Sequence, residues 1–193
     1  MVYLALLRAI NVGGHRIVKM AELRAAVAEL GHINIRTYIQ SGNLVFESAE
    51  SDRKALARQL EALLLKHWGF EIPCALFDRQ DLQAVVSVLS VLAVLPPATP
   101  DQRLNVYFLG DAPAPEAEER LQALEQPGLA WHLLPRALIL KTPKDLQDKR
   151  LNNSNWLEKQ LGTWATARNH KTTQTLAAWL GVEPSPESLP HGL

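Results

Sequence analysis

The sequence predicts an α+β protein built from two ferredoxin-like, split-βαβ subdomains in tandem, the second a pseudo-duplicate of the first in pattern. Three observations carry this. Continuous apolar or β-branched runs alternate with amphipathic runs of helical spacing. They follow one another as βαββαβ-α. The same order returns after a Pro-rich stretch. The expected boundaries are a first subdomain at 1–95, a linker at 96–102, a second subdomain at 103–181 and an irregular tail at 182–193.

Taken in order, Val2–Ile10 is a continuous apolar strand, and Asn11–Val18 (NVGGHRIV) is a loop with two glycines. Lys19–Leu30 places Met20, Leu23, Val27 and Leu30 at helical spacing, and Gly31 stops the helix. Ile35–Ile39 and Leu44–Glu47 are strands joined by Gln40-Ser41-Gly42-Asn43, a hairpin signal. Asp52–Trp68 is a helix with Leu56, Leu60, Leu63 and Leu64 on one face; Ile72–Phe77 is a strand; Arg79–Leu95 is a Val-rich helix. The linker carries Pro96, Pro97 and Pro100, which neither a helix nor a central strand would contain. Beyond it, Leu104–Leu109 is a strand, Ala114–Glu125 a helix, and Leu129–Leu134 with Ala137–Lys141 a hairpin. Asn155–Leu161 is a helix, Trp164–Ala165 a short strand and His170–Leu180 the last helix.

Composition narrows the function classes. Lys plus Arg and Asp plus Glu are both 20, so the net charge is zero, which argues against a general polyanion binder. An apolar share of 47% excludes a disordered chain. No stretch approaches the roughly 20 apolar residues of a membrane span, so no membrane partner is expected. Arg8 interrupts the N-terminal apolar run too early for a secretory signal. With a single cysteine, Cys74, a cytoplasmic location is expected.

In a split-βαβ sheet of strand order 4-1-3-2, the end of the first strand meets the turn between the second and third. Arg8, Asn11, Gly13, Gly14, Lys19, Gln40, Ser41 and Asn43 should therefore converge at one edge. One reading is an anion or nucleotide-phosphate pocket. Glycine backbone N–H groups and a helix N-terminus would face the ligand, with charge from Arg8, Arg16 and Lys19. The other reading is a tight turn whose Gln, Ser and Asn side chains satisfy hairpin backbone.

The motifs LLRAINVGG (Leu6–Gly14), VKMAELR (Val18–Arg24), TYIQSGN (Thr37–Asn43) and TARN (Thr166–Asn169) together resemble a bacterial family called domain of unknown function 1697. The resemblance spans Tyr3 to about Gly181. It implies a two-subdomain α+β fold and no established activity, substrate or cofactor. It also places Gly42, Arg168 and Asn169 with the edge residues among the family's characteristic positions. His170 stands where the family pattern leads us to expect an aromatic residue, usually Trp.

Thr166–Lys171 leads into the last helix. Thr166 or Asn169 is expected to cap it, and Arg168 with Lys171 offers a second anion site. The six histidines show no ligand spacing, so no metal site is assigned. Cys74 lies in an apolar strand as an inert thiol. No catalytic residue is assigned. The first strand is apolar on both faces, with Tyr3, Ala5 and Leu7 on one and Val2, Leu4 and Leu6 on the other. That argues against the open aromatic face of RNA-recognition domains. The primary expectation is a small anionic or nucleotide-like ligand. The alternatives are nucleic-acid binding, through Arg168, Lys171 and the stretch Lys141, Lys144, Lys149, Arg150, and an interaction module, self-association included, using the Val-rich 84–95 segment.

Overall fold

The computed structural model describes residues 1–94, 102–124, 127–143, 146 and 148–183. The first half runs β1 (Val2–Leu7), α1 (Met20–Ala28), β2 (Ile33–Tyr38), β3 (Asn43–Glu47), α2 (Arg53–Trp68) and β4 (Cys74–Phe77), then α3 (Arg79–Val94). The second runs β5 (Arg103–Leu109), α4 (Ala117–Gln122), β6 (Ala130–Leu134) and β7 (Ala137–Thr142). A 3-10 turn at Lys149–Asn152, α5 (Ser154–Leu161), β8 (Ala165–Asn169) and α6 (His170–Trp179) complete it. Each half holds one four-stranded antiparallel sheet, in the orders β2-β3-β1-β4 and β6-β7-β5-β8. This is the split-βαβ order twice over.

The alternation along β1 sets the first core. Tyr3, Ala5 and Leu7 join Leu44 and Phe46 of β3, Cys74 and Leu76 of β4, and the apolar stripes of α1 and α2. The Asp52 carboxylate caps α2 by accepting from the Lys54 and Ala55 amides at 2.8 and 3.1 Å. Gly69, in the left-handed region at φ +72°, ends it. Leu56, Leu60, Leu63 and Leu64 are buried between these ends. Each buried leucine contributes about 2 kcal/mol, against about 1 kcal/mol for the cap. The stripe rather than the cap therefore decides where α2 docks. Leu4, Leu6, Val45, Ala75 and Phe77, on the opposite sheet face, are buried too.

Several elements depart from the sequence expectation. β1 ends at Leu7 rather than Ile10, and β4 begins at Cys74 rather than Ile72, after Pro73, which lacks a ladder donor. Helix α4 covers only Ala117–Gln122. Strand β8 extends to Asn169, so the TARN motif is strand up to the residue that caps α6. Helix α3 forms despite its β-branched content. Val85, Val86, Val88, Leu89 and Leu92 are buried, and tertiary burial outweighs the small helix-propensity deficit of valine. Ser87 and Ser90 donate back to the Gln83 and Val86 carbonyls, which satisfies both hydroxyls within the helix. Among the described residues, these five apolar side chains are therefore not available as the exposed surface that an interaction module at 84–95 would use. Pro96, Pro97, Pro100, Lys144 and tail residues 184–193 lie outside the described residues.

By packing, the chain divides into Met1–Gln80 with Trp179–Gly181, and Asp81–Ala178 with Val182–Leu193. From Asp81 onward α3 groups with the second unit, whereas the sequence reading places it with the first. In the first unit, the Trp179 ring lies 4.5 Å from the Arg36 guanidinium and edge-on to Tyr38 at 5.6 Å.

His32 is 8% exposed, stacks on Phe46 at 4.6 Å, and its Nε2 has no hydrogen-bond partner among the described residues. Burial pushes its imidazole below the ordinary 6.5, so the folded protein holds it neutral. Below that pH the unfolded chain takes up a proton that the folded chain does not, so stability falls as the solution is acidified. Urea midpoints measured through pH 6.5 and below should decline in the parent and decline less in His32→Phe. Equal slopes for the two proteins would assign the acid sensitivity to other groups.

Candidate functional site

β1 is a central strand, so its end has a neighbour on each side. The Leu7 amide donates to the Gly42 carbonyl in the β2–β3 hairpin, and the Arg8 amide donates to the Pro73 carbonyl ahead of β4, both at 2.9 Å. The β1–α1 loop leaves this clamped point as a miniature hairpin. The Asn11 amide donates to the Arg16 carbonyl at 3.2 Å, and His15 donates to Val12 at 3.0 Å. Gly13 and Gly14 form the tip at φ +58° and +78°. Positive φ at both central residues is the type I′ geometry that matches hairpin twist. A Cβ at Gly14 would meet nothing within 4 Å, so conformation rather than close approach selects glycine there.

The Asn11 side chain holds this loop in place. Its Nδ2 donates to the Val18 carbonyl at 2.9 Å and to the Gln40 carbonyl at 2.8 Å, while its Oδ1 accepts from the Val18 amide at 2.8 Å. Asn43, fully buried, does the equivalent work in the hairpin by donating to the Tyr38 carbonyl and to Ser41 Oγ, both at 2.9 Å. Backbone strain concentrates here. Ala9, Asn11, Arg16 and Ile39 are non-glycine residues at φ +54°, +55°, +53° and +46°. Asn tolerates that region, while Ala, Arg and β-branched Ile do not favour it.

The structure thus brings Arg8, Asn11, Gly13, Gly14, Gln40, Ser41, Gly42 and Asn43 to one edge. It uses Asn11, Gln40, Ser41, Gly42 and Asn43 to satisfy and shape backbone. Lys19 precedes α1 at the same edge, but its ammonium pairs with Glu22 at 2.9 Å on an exposed helix face. Arg168 and Asn169 belong to the second unit. Arg168 is buried in β8, donates to Thr166 Oγ1 and the Ala167 carbonyl at 2.8 Å, and burial lowers its pKa to about 10. Asn169 Oδ1 accepts from the Thr172 amide at 2.8 Å, the expected cap of α6. Of the basic stretch, Lys141 is buried and Arg150 pairs with Asp148 at 2.6 Å, so these residues do not form a cationic stripe.

The open space lies on the other side of β1. Arg8, Ala9, Arg16, Phe70, Glu71 and Pro73 line a cleft of about 540 Å³ between the β1–α1 loop and the α2–β4 connection. The Arg16 guanidinium sits 5.0 Å from the Phe70 ring and donates to the Glu71 carbonyl. Ala9, Phe70, Glu71 and Pro73 are the lining residues that sequence reasoning missed. The signal was present in the strand order, which sets the start of β4 beside the end of β1. Nothing in the cleft lining resembles a nucleophile–base pair. Burial pushes the Cys74 thiol up, which keeps it protonated and inert. Among the described residues no group of three His, Cys, Asp or Glu side chains is placed to hold a metal ion.

Comparison with known proteins follows the same outline. The sequence model of a family described as "Protein of unknown function (DUF1697)" matches residues 1–138. A solved structure, the conserved bacterial protein SP0830 from Streptococcus pneumoniae, superposes with a TM-score of 0.65 at 24% identity. The match covers 93% of this chain and 98% of that one, a likeness of fold. No curated protein matches the sequence.

Proposed function

We propose that this chain, which belongs to the DUF1697 family of proteins of unknown function, binds a small anionic ligand between the β1–α1 loop and the α2–β4 connection. The observation that carries this reading is the pair Arg8 and Arg16 lining one cleft with Phe70 and Pro73. Guanidinium groups match the geometry of carboxylate and phosphate oxygens. An aromatic ring and a proline supply apolar wall, and the cleft has the size of small-molecule sites, about 300–1,000 Å³. Arg16 is already oriented by Phe70 and Glu71, which lowers the ordering cost on binding. Ala9 and Arg16, which line the same cleft, have strained backbone, and such strain clusters at ligand sites. In this reading Arg8 and Arg16 contact the ligand. Asn11, Gly13, Gly14, Gln40, Ser41, Gly42 and Asn43 position the loop that carries them. A reducing, cytoplasmic setting accords with the lone thiol.

Calorimetry against a panel of nucleotides and small phosphate or carboxylate metabolites tests this. Arg8→Ala and Arg16→Ala should each weaken binding about tenfold or more, since a hydrogen bond to a charged group contributes about 1.5–3 kcal/mol. Lys19→Ala should change little, because that ammonium is exposed and paired with Glu22. Binding that survives both arginine substitutions would remove the site.

A further inference from the structure

Each open sheet has two edge strands, and among the described residues these are β2, β4, β6 and β8. An edge strand turns alternate amides and carbonyls outward, where a further strand can pair with them. Three of these edges carry features that oppose such pairing. β2 is bulged between Ile33 and Arg36, Asn34 within the bulge stands at φ +54°, and Arg36 is exposed along the strand. β4 has only four residues, and the Glu61 carboxylate accepts from its first amide, that of Cys74, at 2.8 Å. In β8 the Glu158 carboxylate accepts from the Ala165 amide at 2.9 Å, and Arg168 is a buried charge within the strand.

Strand β6 (AWHLL) has no charged residue, no proline and no bulge, and its register to β7 is unbroken over all five residues. Among the described residues no backbone outside β7 bonds to it. β6 holds the same place in its sheet as β2 does in the first, so topology does not account for the difference between them. We propose that the β6 edge docks a second copy of this chain, strand against antiparallel strand, joining two four-stranded sheets across a twofold axis. Pairing about a twofold at His132 engages all five residues. Ala130 then meets Leu134 of the second copy, Trp131 meets Leu133, and His132 meets its own counterpart. Residues directly opposed across antiparallel strands share a sheet face. Trp131 and Leu133 pack on the second core, so this register runs that core face on into the copy. It also opposes no like charges, whereas β2 meeting itself would bring a second Arg36 to the seam. A single strand pair makes a small interface, so the dimer belongs to the transient class.

The test is sedimentation equilibrium on the full chain up to about 200 µM, a range suited to a transient interface, with amide exchange at each concentration. The dimer fraction should rise with concentration, and exchange over 130–134 should slow in step with it. His132→Glu and His132→Lys each set like charges face to face at the twofold and should each weaken association about tenfold or more. An equimolar mixture of the two variants should recover it, because Glu then faces Lys, and misfolded variants could not show that recovery. Ile33→Glu, at an exposed position on β2, should leave association unchanged. A monomer at every concentration, or a dimer that both His132 variants leave intact, would overturn the proposal. So would loss of association in Ile33→Glu, which moves the interface to β2, and failure of the mixture to recover, which removes the twofold at His132. Protection of 130–134 that ignores concentration would mean that another segment of the chain covers this edge, and it too would overturn the proposal.

Discussion

Gly42→Ala is expected to destabilise the protein by about 4 kcal/mol, the sum of two effects. Gly42 sits at φ +73°, where an L-residue costs about 1–2 kcal/mol. An added Cβ would also lie 2.7 Å from Leu7 Cβ and 3.1 Å from Ile10 Cδ1. Leu7 cannot yield cheaply. Its backbone is paired with Cys74 of β4, its amide donates to the Gly42 carbonyl, and its side chain is 1% exposed in the core. Overpacking of this kind costs about 1–3 kcal/mol. Against a total stability of about 5–15 kcal/mol, that is a large fraction. Gly14→Ala separates the two effects, because Gly14 has φ +78° but open space around it. It should lose only the backbone share, about 1–2 kcal/mol. Urea unfolding of both variants reads the difference, and equal losses would show that packing at Gly42 contributes nothing. Because the Gly42 carbonyl clamps the end of β1 just before Arg8, affinity at the Arg8–Arg16 cleft should fall with stability in Gly42→Ala.

The strand order was legible because the strands of the first half announce themselves by composition, and the turns after β1, α1, β2 and α2 by Gly, Pro or Asn. From that order the meeting of Asn11 with Gln40 followed. Other parts of the site left no mark in the sequence. Ala9, Arg16 and Ile39 carry no preference for the left-handed region, so their strain belongs to the tertiary structure. The wall formed by Glu71 and Pro73 works largely through backbone carbonyls, which no side-chain motif records. Lys19 looks like a ligand-facing cation until its three-residue spacing to Glu22 is taken as the stronger local constraint. In TARN, polar composition hid a strand. The Arg168 guanidinium finds Thr166 Oγ1 and the Ala167 carbonyl within its own strand, so a charged residue sits buried at a position that composition assigns to a loop.

Asn11 joins the two halves of this edge, and its substitution should be nearly as damaging as that of Gly42. Asn11→Ala removes two donated bonds and one accepted bond, each contributing about 1 kcal/mol. It also places alanine at φ +55°, which adds about 1 kcal/mol. The loss should fall first on the loop, because these bonds tie Val18 and Gln40 rather than the core. Amide exchange at Val18 and His15 should therefore accelerate more than exchange in β1. Asn11→Asp makes the sharper experiment. Its carboxylate still accepts from the Val18 amide, but it can donate to neither the Val18 nor the Gln40 carbonyl and instead faces both with negative charge. If the donated bonds hold the loop, Asn11→Asp should exchange as fast as Asn11→Ala and lose comparable affinity for the anionic ligand. If Asn11→Asp keeps wild-type protection at Val18, the accepted bond alone orders the loop, and the link to Gln40 plays no part in placing Arg16 beside Phe70.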